Sequence, residues 1–396
     1  MKIIELTETQ FKNYSKIHSS RNYFQTIEYS KVKQEYNRLL LGFLNENNNT
    51  IMGATLILEK NIYNFKIGFV PGGFLIDYDN ENLFKDFIIA LKSYLKERKF
   101  VYLSVNNKTA YKMYDKNGKV IYFDTNITKL LDELLFVKTS KEHKRKVVLE
   151  TEKTPNETYQ MFNSNTKRNI NSSLRKAISI YKDENTNAQT LLNFTTNNKA
   201  EYINKLIDNF NTDNNTAEIY FAKIDFEKYI NNYRYLQKEE DRRNDRLNEI
   251  MQDMSVTKTI SLINQKMKSD KLITKYNREI IKATNAYKNY PDGAILGAIL
   301  IIKNNREIYF LEEGYNKELA QFYSSHLLKW EIIKKYLSNG YKIFNFGNVK
   351  NMDNKNGDYT FKMGFGGKVY EYIGAYDLII NKWLYRIVKF LYKIKK

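Results

Sequence analysis

Residues Ile51–Glu59 read IMGATLILE, and residues Ile295–Lys303 read ILGAILIIK. Each stretch sets Gly-Ala ahead of an apolar run of one strand's length. The first leads through a glycine-containing turn, VPGGFLID, to an amphipathic helix, LFKDFIIALKSYLKE, and to another strand, FVYLSV. The second leads through IYFLEEGY to a helix, FYSSHLLKWEIIKKYL, and then to YKIFNFG. Gly53 and Val101 are 48 residues apart, and Gly297 and Ile343 are 46 apart. The same units in the same order at nearly the same spacing predict two related domains of α/β type. The three prolines suit the boundaries of this plan, because proline lacks a donor and restricts the residue before it. Pro71 opens the turn of the first copy, Pro155 follows the first domain, and Pro291 precedes the second Gly-Ala strand.

Between the halves, residues 221–289 contain no glycine and carry two heptad series. One is Tyr229, Tyr233, Leu236, Glu240, Arg243, Leu247, Ile250 and Met254; the other is Leu262, Lys266, Ser269, Ile273, Tyr276, Ile280, Ala283 and Tyr287. Alternating steps of three and four place each series on one helical face. With Asp253 and Ser255 as break and cap, the segment predicts an antiparallel helical hairpin in which Glu240 faces Lys266. The expected domains are therefore 1–150, then 151–220 with 290–396, with the hairpin at 221–289 inserted in the second.

The chain has 396 residues and a net charge of +19. Such an excess favours an anionic partner: nucleic acid, an acidic membrane or a phosphorylated substrate. A solvated lysine-rich surface from an AT-rich genome has the same composition. There is no cysteine, so disulfides, thiolate metal sites and a cysteine nucleophile are excluded. The three histidines, His18, His143 and His326, lie far apart without metal-ligand spacing. His326 sits in an apolar helical stretch and reads as structural. The N-terminus has no signal-peptide core, and no apolar run approaches the length of a bilayer span. A cytoplasmic protein is expected. The last sixteen residues hold six basic side chains and no acid. Leu384, Ile387, Val388, Leu391 and Ile394 fall on one helical face, and Lys382, Arg386, Lys389, Lys393 and Lys396 tend to the other. That pattern fits a helix lying on an anionic membrane, or one packed on its own domain.

Glycines cluster at 357–376, GDYTFKMGFGGKVYEYIGAY. A dinucleotide loop needs a helix N-terminus after its glycines; here alternating apolar residues predict a strand instead. The glycines are read as a turn between strands.

Several stretches stand in a telling order: Phe24–Lys33 (FQTIEYSKVK), Phe69–Asp77 (FVPGGFLID), Thr166–Ile170 (TKRNI) with Arg175–Ala177, Leu328–Glu331 (LKWE), Asn345–Gly347 (NFG), and Tyr359–Phe365 (YTFKMGF) with Glu371–Gly374 behind it. Together they resemble the Fem-type peptidoglycan aminoacyltransferases. The resemblance covers essentially the whole chain. It implies two GNAT-like acyltransferase domains with a hairpin inserted in the second. It implies transfer of an amino acid from aminoacyl-tRNA to an amine on the stem peptide of a lipid- or nucleotide-linked wall precursor, without a cofactor or metal. Lys362, next to Phe361, matches the family lysine at the acyl-transfer site, where a fixed positive charge would stabilise the oxyanion. Lys33 matches a lysine near the precursor's phosphates. Gln25, Pro71, Gly72, Gly73, Asn345 and Gly347 are the further substrate-binding candidates, and Lys167, Arg168, Arg242 and Arg243 are candidates for tRNA contact. Peripheral contact at the inner face of the plasma membrane through 381–396 is a further expectation. Two departures stand out: Asn345-Phe346 runs directly into Gly347, and the stretch TAEIYFAKID lacks the arginine expected before the hairpin. Transfer to another amine, or a non-catalytic membrane- or RNA-binding scaffold, are the alternatives.

Overall fold

The computed structural model describes the chain outside residues 63, 140–144, 185–187, 196–198, 254–256, 258, 306 and 395–396. His143, Met254, Ser255 and Lys396 fall outside the described residues. So do the side chains of Lys393 and Ile394.

The first half runs β1 (Lys2–Glu5), α1 (Glu8–Ile17), α2 (Ile27–Val32), β2 (Asn37–Asn45), β3 (Thr50–Ile62), β4 (Phe65–Gly72), α3 (Glu81–Glu97), β5 (Phe100–Tyr114), β6 (Val120–Phe123), α4 (Asn126–Glu133) and β7 (Phe136–Lys138). The chain continues through β8 (Arg145–Glu150), α5 (Pro155–Met161), α6 (Ser164–Arg175), β9 (Ile178–Lys182), α7 (Ala188–Leu192), α8 (Ala200–Asn209) and β10 (Asn215–Ile224). Then come α9 (Phe226–Gln252), α10 (Ile260–Tyr287), β11 (Ala294–Asn304), β12 (Glu307–Tyr315), α11 (Ser325–Ser338), β13 (Ile343–Val349), α12 (Gly357–Met363), β14 (Lys368–Ile379) and α13 (Lys382–Ile394).

All the described strands join one sheet, ordered β1-β2-β3-β4-β5-β14-β8-β13-β12-β11-β10-β9, with β6 on β5 and β7 on β14. The repeat is visible in the pairing. β3 is antiparallel to β4, and β4 is parallel to β5 across α3. β11 is antiparallel to β12, and β12 is parallel to β13 across α11. A helix between two parallel strands is the connection such a pair requires. β14 pairs with β5 along most of its length and with β8 at its start, so the last strand lies at the seam.

The near-repeat explains why the halves adhere. Ala54, Leu56 and Leu58 of β3 and Ala298, Leu300 and Ile302 of β11 share one core with residues of α1, α2, α7 and α8. The alternate positions point the other way: Ile57 packs under α3, while Ile299 and Ile301 pack under α11. Side chains alternate between faces along a strand. A strand covered on both sides therefore has no polar face, and both stretches read as continuous apolar runs. Gly297 is needed where β12 crosses: an added Cβ would sit 2.6 Å from the Gly314 carbonyl oxygen.

The inserted segment forms the expected hairpin between the neighbouring strands β10 and β11. Its helices of 27 and 28 residues are each about 40 Å long. Asp253 ends α9, and Thr259 caps α10 through the Leu262 N–H. The second heptad series lies along the contact. The first slips by one residue: Arg243 is exposed, and Asn244 is buried in its place. Lys266 therefore does not meet Glu240. It bonds the Asn244 Oδ1 at 2.7 Å and Asp270 at 2.6 Å. Pro71 lies in the last turnward residues of β4, paired with Asn106, rather than in a free turn.

Candidate functional site

The parallel ladder of each half stops at the same place in its unit. In the first half it ends at Gly72↔Asn107. In the second it ends at Tyr309↔Asn345, although both strands continue. Ligands of α/β sheets bind where parallel strands end and separate. Here both ends line one cavity of ≈ 420 Å³ between the halves, with Lys146 and Glu150 of β8 and Tyr370 and Tyr372 of β14 bridging the seam.

On the first-half wall, Gly72 and Gly73 have φ of 80° and 85°, a region that only glycine enters without strain. Asn22 Nδ2 donates to the Gly72 carbonyl at 3.3 Å. Gln25 braces the same turn. Its Nε2 donates to Pro71 O at 2.7 Å and to Leu56 O at 3.2 Å, while its Oε1 accepts from Leu56 N at 2.8 Å. The side chain is buried and its polar atoms are committed to backbone, so Gln25 shapes the wall. Pro71 is buried behind Gly72.

On the second-half wall, Glu307 accepts from the Tyr309 hydroxyl at 2.5 Å and from Asn345 Nδ2 at 3.1 Å. Burial pushes this carboxyl above its ordinary range, against the pull of Tyr309, Asn345 and Lys146. Asn345 Oδ1 in turn accepts from the Gly347 N–H at 3.0 Å. Lys146 and Lys108 lie over the same two rings, Phe24 and Tyr372, at 4.8–5.9 Å.

Lys362 is outside the cavity lining and is bonded to β13 three residues past Asn345. The residues around it form the short helix α12, capped by Asn356, instead of a strand. The reason is local: Asn356 accepts from two N–H groups of GDYTFKM, a start signal that the following glycines obscure. Lys362 Nζ donates to Asn348 O at 2.7 Å and to Asp358 Oδ2 at 3.0 Å. An ammonium has three donor hydrogens. Two are used, by Asn348 and Asp358.

Between the separating strands β12 and β13 an aromatic wedge fills the gap. Phe346 stacks on Phe310 at 5.2 Å and on Phe365 at 5.1 Å; Phe162 meets both Phe365 and Trp330 at 5.2 Å. Phe361 packs on Phe365 and His326, with Lys329 over its ring. Burial, then the Lys329 charge, lower the His326 pKa to about 4. Lys329 pairs with Glu313 at the same place. The Asn163 N–H donates to Gly364 O at 3.0 Å, which sets α6 against the glycine turn.

Four stretches distant in sequence, TKRNI, LKWE, NFG and YTFKMGF, thus converge around Phe365. The Gln25 and Pro71 stretches converge at the opposite wall. Other candidates lie apart. Lys33 ends α2 with its ammonium 5.3 Å from the Tyr202 ring, outside the cavity lining. Lys167 bonds Gln160 O at 2.8 Å, and Arg168 bonds Asn165 at 2.6 Å. Arg242 and Arg243 pair with Glu239 and Glu240 on the exposed side of α9. Sequence reading missed Asn22, Asn107, Lys146, Glu307 and Tyr309. Only register brings them together, and no local motif marks them.

A model described as the FemAB family matches residues 6–393 of the chain. The aminoacyltransferase FemA of Staphylococcus aureus (strain bovine RF122 / ET3-1) is 22% identical over 428 residues, covering 100% of this chain and 99% of that protein. FemA of strain MW2 matches equally, at 22% identity with the same coverage. Among solved structures, FemX superposes with a TM-score of 0.73 at 16% identity, covering 98% of this chain and 100% of FemX. A tandem GNAT protein from the clavulanic acid biosynthesis pathway superposes with a TM-score of 0.50 at 8% identity, covering 96% and 98%. The fold is thus α/β, with two GNAT-like units.

Proposed function

The chain belongs to the FemAB family, and from that premise we propose that it is an aminoacyltransferase of peptidoglycan bridge formation. The donor is an aminoacyl-tRNA. The acceptor is an amine on the stem peptide of a lipid- or nucleotide-linked precursor. One observation carries the reading: the Lys362 ammonium is tied to Asp358 and to the carbonyl of Asn348, on the strand whose Asn345 lines the cavity with Glu307 and Tyr309.

The chemistry asks for two things. The acceptor ammonium must lose a proton, and negative charge on the ester carbonyl oxygen must be stabilised as the nitrogen attacks. The new C–N bond then replaces the ester C–O bond, and the ribose hydroxyl leaves. Lys362 supplies a preplaced donor to the oxyanion. Glu307, whose carboxyl holds its proton more tightly than an exposed one, is suited to receive the proton from the amine. Gly72 lines the cavity in which the acceptor peptide would lie, with Asn22 packed against it. The +19 charge suits two polyanionic substrates, and Lys33, Lys167 and Arg168 are surface cations available to them. The site of action is the cytoplasmic side, and contact of 381–396 with anionic membrane belongs to the same reading.

The test is transfer of labelled amino acid from a panel of charged tRNAs to purified lipid-linked and nucleotide-linked precursors. Transfer is expected with at least one pair, and Lys362→Ala lowers kcat roughly 10²–10³-fold. No transfer from any tRNA, or an unchanged rate in Lys362→Ala, defeats the mechanism. Tight RNA or vesicle binding without turnover would replace it with a scaffold role.

A further inference from the structure

The C-terminal helix α13 has two apolar sides. One is used. Val388 is buried against Val101 and Tyr102 of β5, with Leu384 and Tyr385 beside it. Lys389 pairs at 2.6 Å with Asp377, which is wholly buried, and the Tyr385 hydroxyl donates to the same carboxylate at 2.9 Å. These contacts fix the rotation of the helix about its axis. The other side is left outward. Trp383, Ile387 and Phe390, at steps of four and three, form a stripe with 77%, 46% and 64% of their surface exposed. Periodicity puts Ile387 on one face with Leu384 and Val388, and Lys389 on the opposite face; in the structure Lys389 turns in to Asp377, and Ile387 joins the outer stripe.

The charged residues of α13 itself are all cations. Lys382 precedes Trp383, and the Arg386 guanidinium lies 5.8 Å from the Trp383 ring centroid. No acidic residue occurs after Asp377. Lys92 of α3 adds to the charge: burial and the nearby Lys382 ammonium both lower its pKa. A second copy of this chain would bring its own cations against these, and like charges oppose such a contact. An apolar stripe with tryptophan at one end, set among cations, complements the headgroup–acyl boundary of an anionic bilayer.

We propose that α13 is a membrane-docking element, with Trp383, Ile387 and Phe390 seated in the interface of an anionic bilayer and Lys382 and Arg386 on its headgroups. The inference deepens the membrane contact named above, but it stands on this helix alone. The same fixed face would keep the protein beside a lipid-linked acceptor.

The chain has two tryptophans, and Trp330 is buried, so a change in emission on adding vesicles reports Trp383. With vesicles of phosphatidylglycerol and phosphatidylcholine, the emission should shift to the blue and acrylamide quenching should fall. Phosphatidylcholine vesicles alone should give little of either. Ile387→Ser with Phe390→Ser, and separately Lys382→Glu with Arg386→Glu, should each weaken vesicle co-sedimentation roughly tenfold or more. Both pairs are solvent-exposed, so an unchanged melting curve shows that the fold is retained. An unshifted emission with anionic vesicles overturns the proposal, as does equal binding to neutral vesicles. A dimer that dissociates in Phe390→Ser without any vesicle binding makes the occupant a second copy, and overturns it too. Vesicle binding without aminoacyl transfer would sink the transferase reading and leave this one standing.

Discussion

The unit β4-α3-β5 and its counterpart β12-α11-β13 share an order of elements, yet they use it differently. In the first, the parallel ladder is long, from Lys66↔Phe100 to Gly72↔Asn107. Its helix buries only apolar side chains: Leu83, Phe84, Phe87, Ile88, Leu91 and Leu95. In the second, the ladder holds for three pairs, Glu307↔Ile343 to Tyr309↔Asn345. Its helix buries Lys329 among apolar neighbours, and the gap between its strands admits the Phe346–Phe365 wedge. A backbone duplicated at one spacing has become a closed wall on one side and an opened, charged one on the other. The first unit is the more uniformly apolar, and the second carries the buried polar and charged side chains Lys329 and Asn345.

Several substitutions would break or sharpen that contrast. The largest effect is expected at Lys329. Burial raises the Glu313 pKa, and Lys329, with hydrogen bonds from Ser325 and Tyr323, more than offsets this, so the carboxyl lies below its ordinary value. Lys329→Met strands that carboxylate, and denaturant unfolding should show a loss of about 3–5 kcal/mol. Lys329→Met with Glu313→Leu should recover most of it. A small loss in the single variant would mean that the second unit is as apolar in practice as the first.

Next come the glycines at the two ladder ends. Gly72 and Gly347 both have positive φ, of 80° and 81°. An added Cβ at Gly72 would lie 2.1 Å from Asn22 Oδ1, whereas at Gly347 the nearest atom is 3.9 Å away. Gly347→Ala should therefore cost only the backbone term, about 1–2 kcal/mol. Gly72→Ala should cost that plus about 1–3 kcal/mol of crowding, read as a difference in Tm. Equal losses would show that the two ends are built alike.

In the second unit a pH effect is expected from His326. His326, facing Phe361 and Phe365 with Lys329 and Glu313 nearby, has its pKa lowered to about 4. The folded chain thus binds this proton less well than the unfolded chain, whose histidine titrates near about 6.5. The contribution is fully present above the unfolded value and is lost as pH falls from there towards 4. Stability measured across this window should decline with acid, and His326→Phe should flatten the decline.

The smallest effect lies outside both units. Ser269 is buried in the hairpin seam, and its Oγ lacks a hydrogen-bond partner among the described residues. Ser269→Ala should change stability by less than about 1 kcal/mol, in the stabilising direction if it changes at all. A large loss would show that a bound water or partner uses that hydroxyl.

The sequence by itself determined the plan. The Gly-Ala strands, the helices after them and the glycine-free hairpin were legible because strand and helix periods are local, and covering both faces of a strand removes its polar positions. The order of motifs was enough to mark the family. The sequence also exposed Lys362, but not its helix, since the cap at Asn356 competes in any local reading with the glycines that follow. Only tertiary structure could place Glu307, Tyr309 and Asn345 opposite Gly72 and Asn107. They meet because two ladders end at one seam, and register across a sheet is set by long-range pairing. The same holds for α13. Its amphipathic pattern was readable, but which side it buries was decided by the ion pair between Lys389 and Asp377. A helical repeat allows several rotations about the axis, and only a fixed partner selects one.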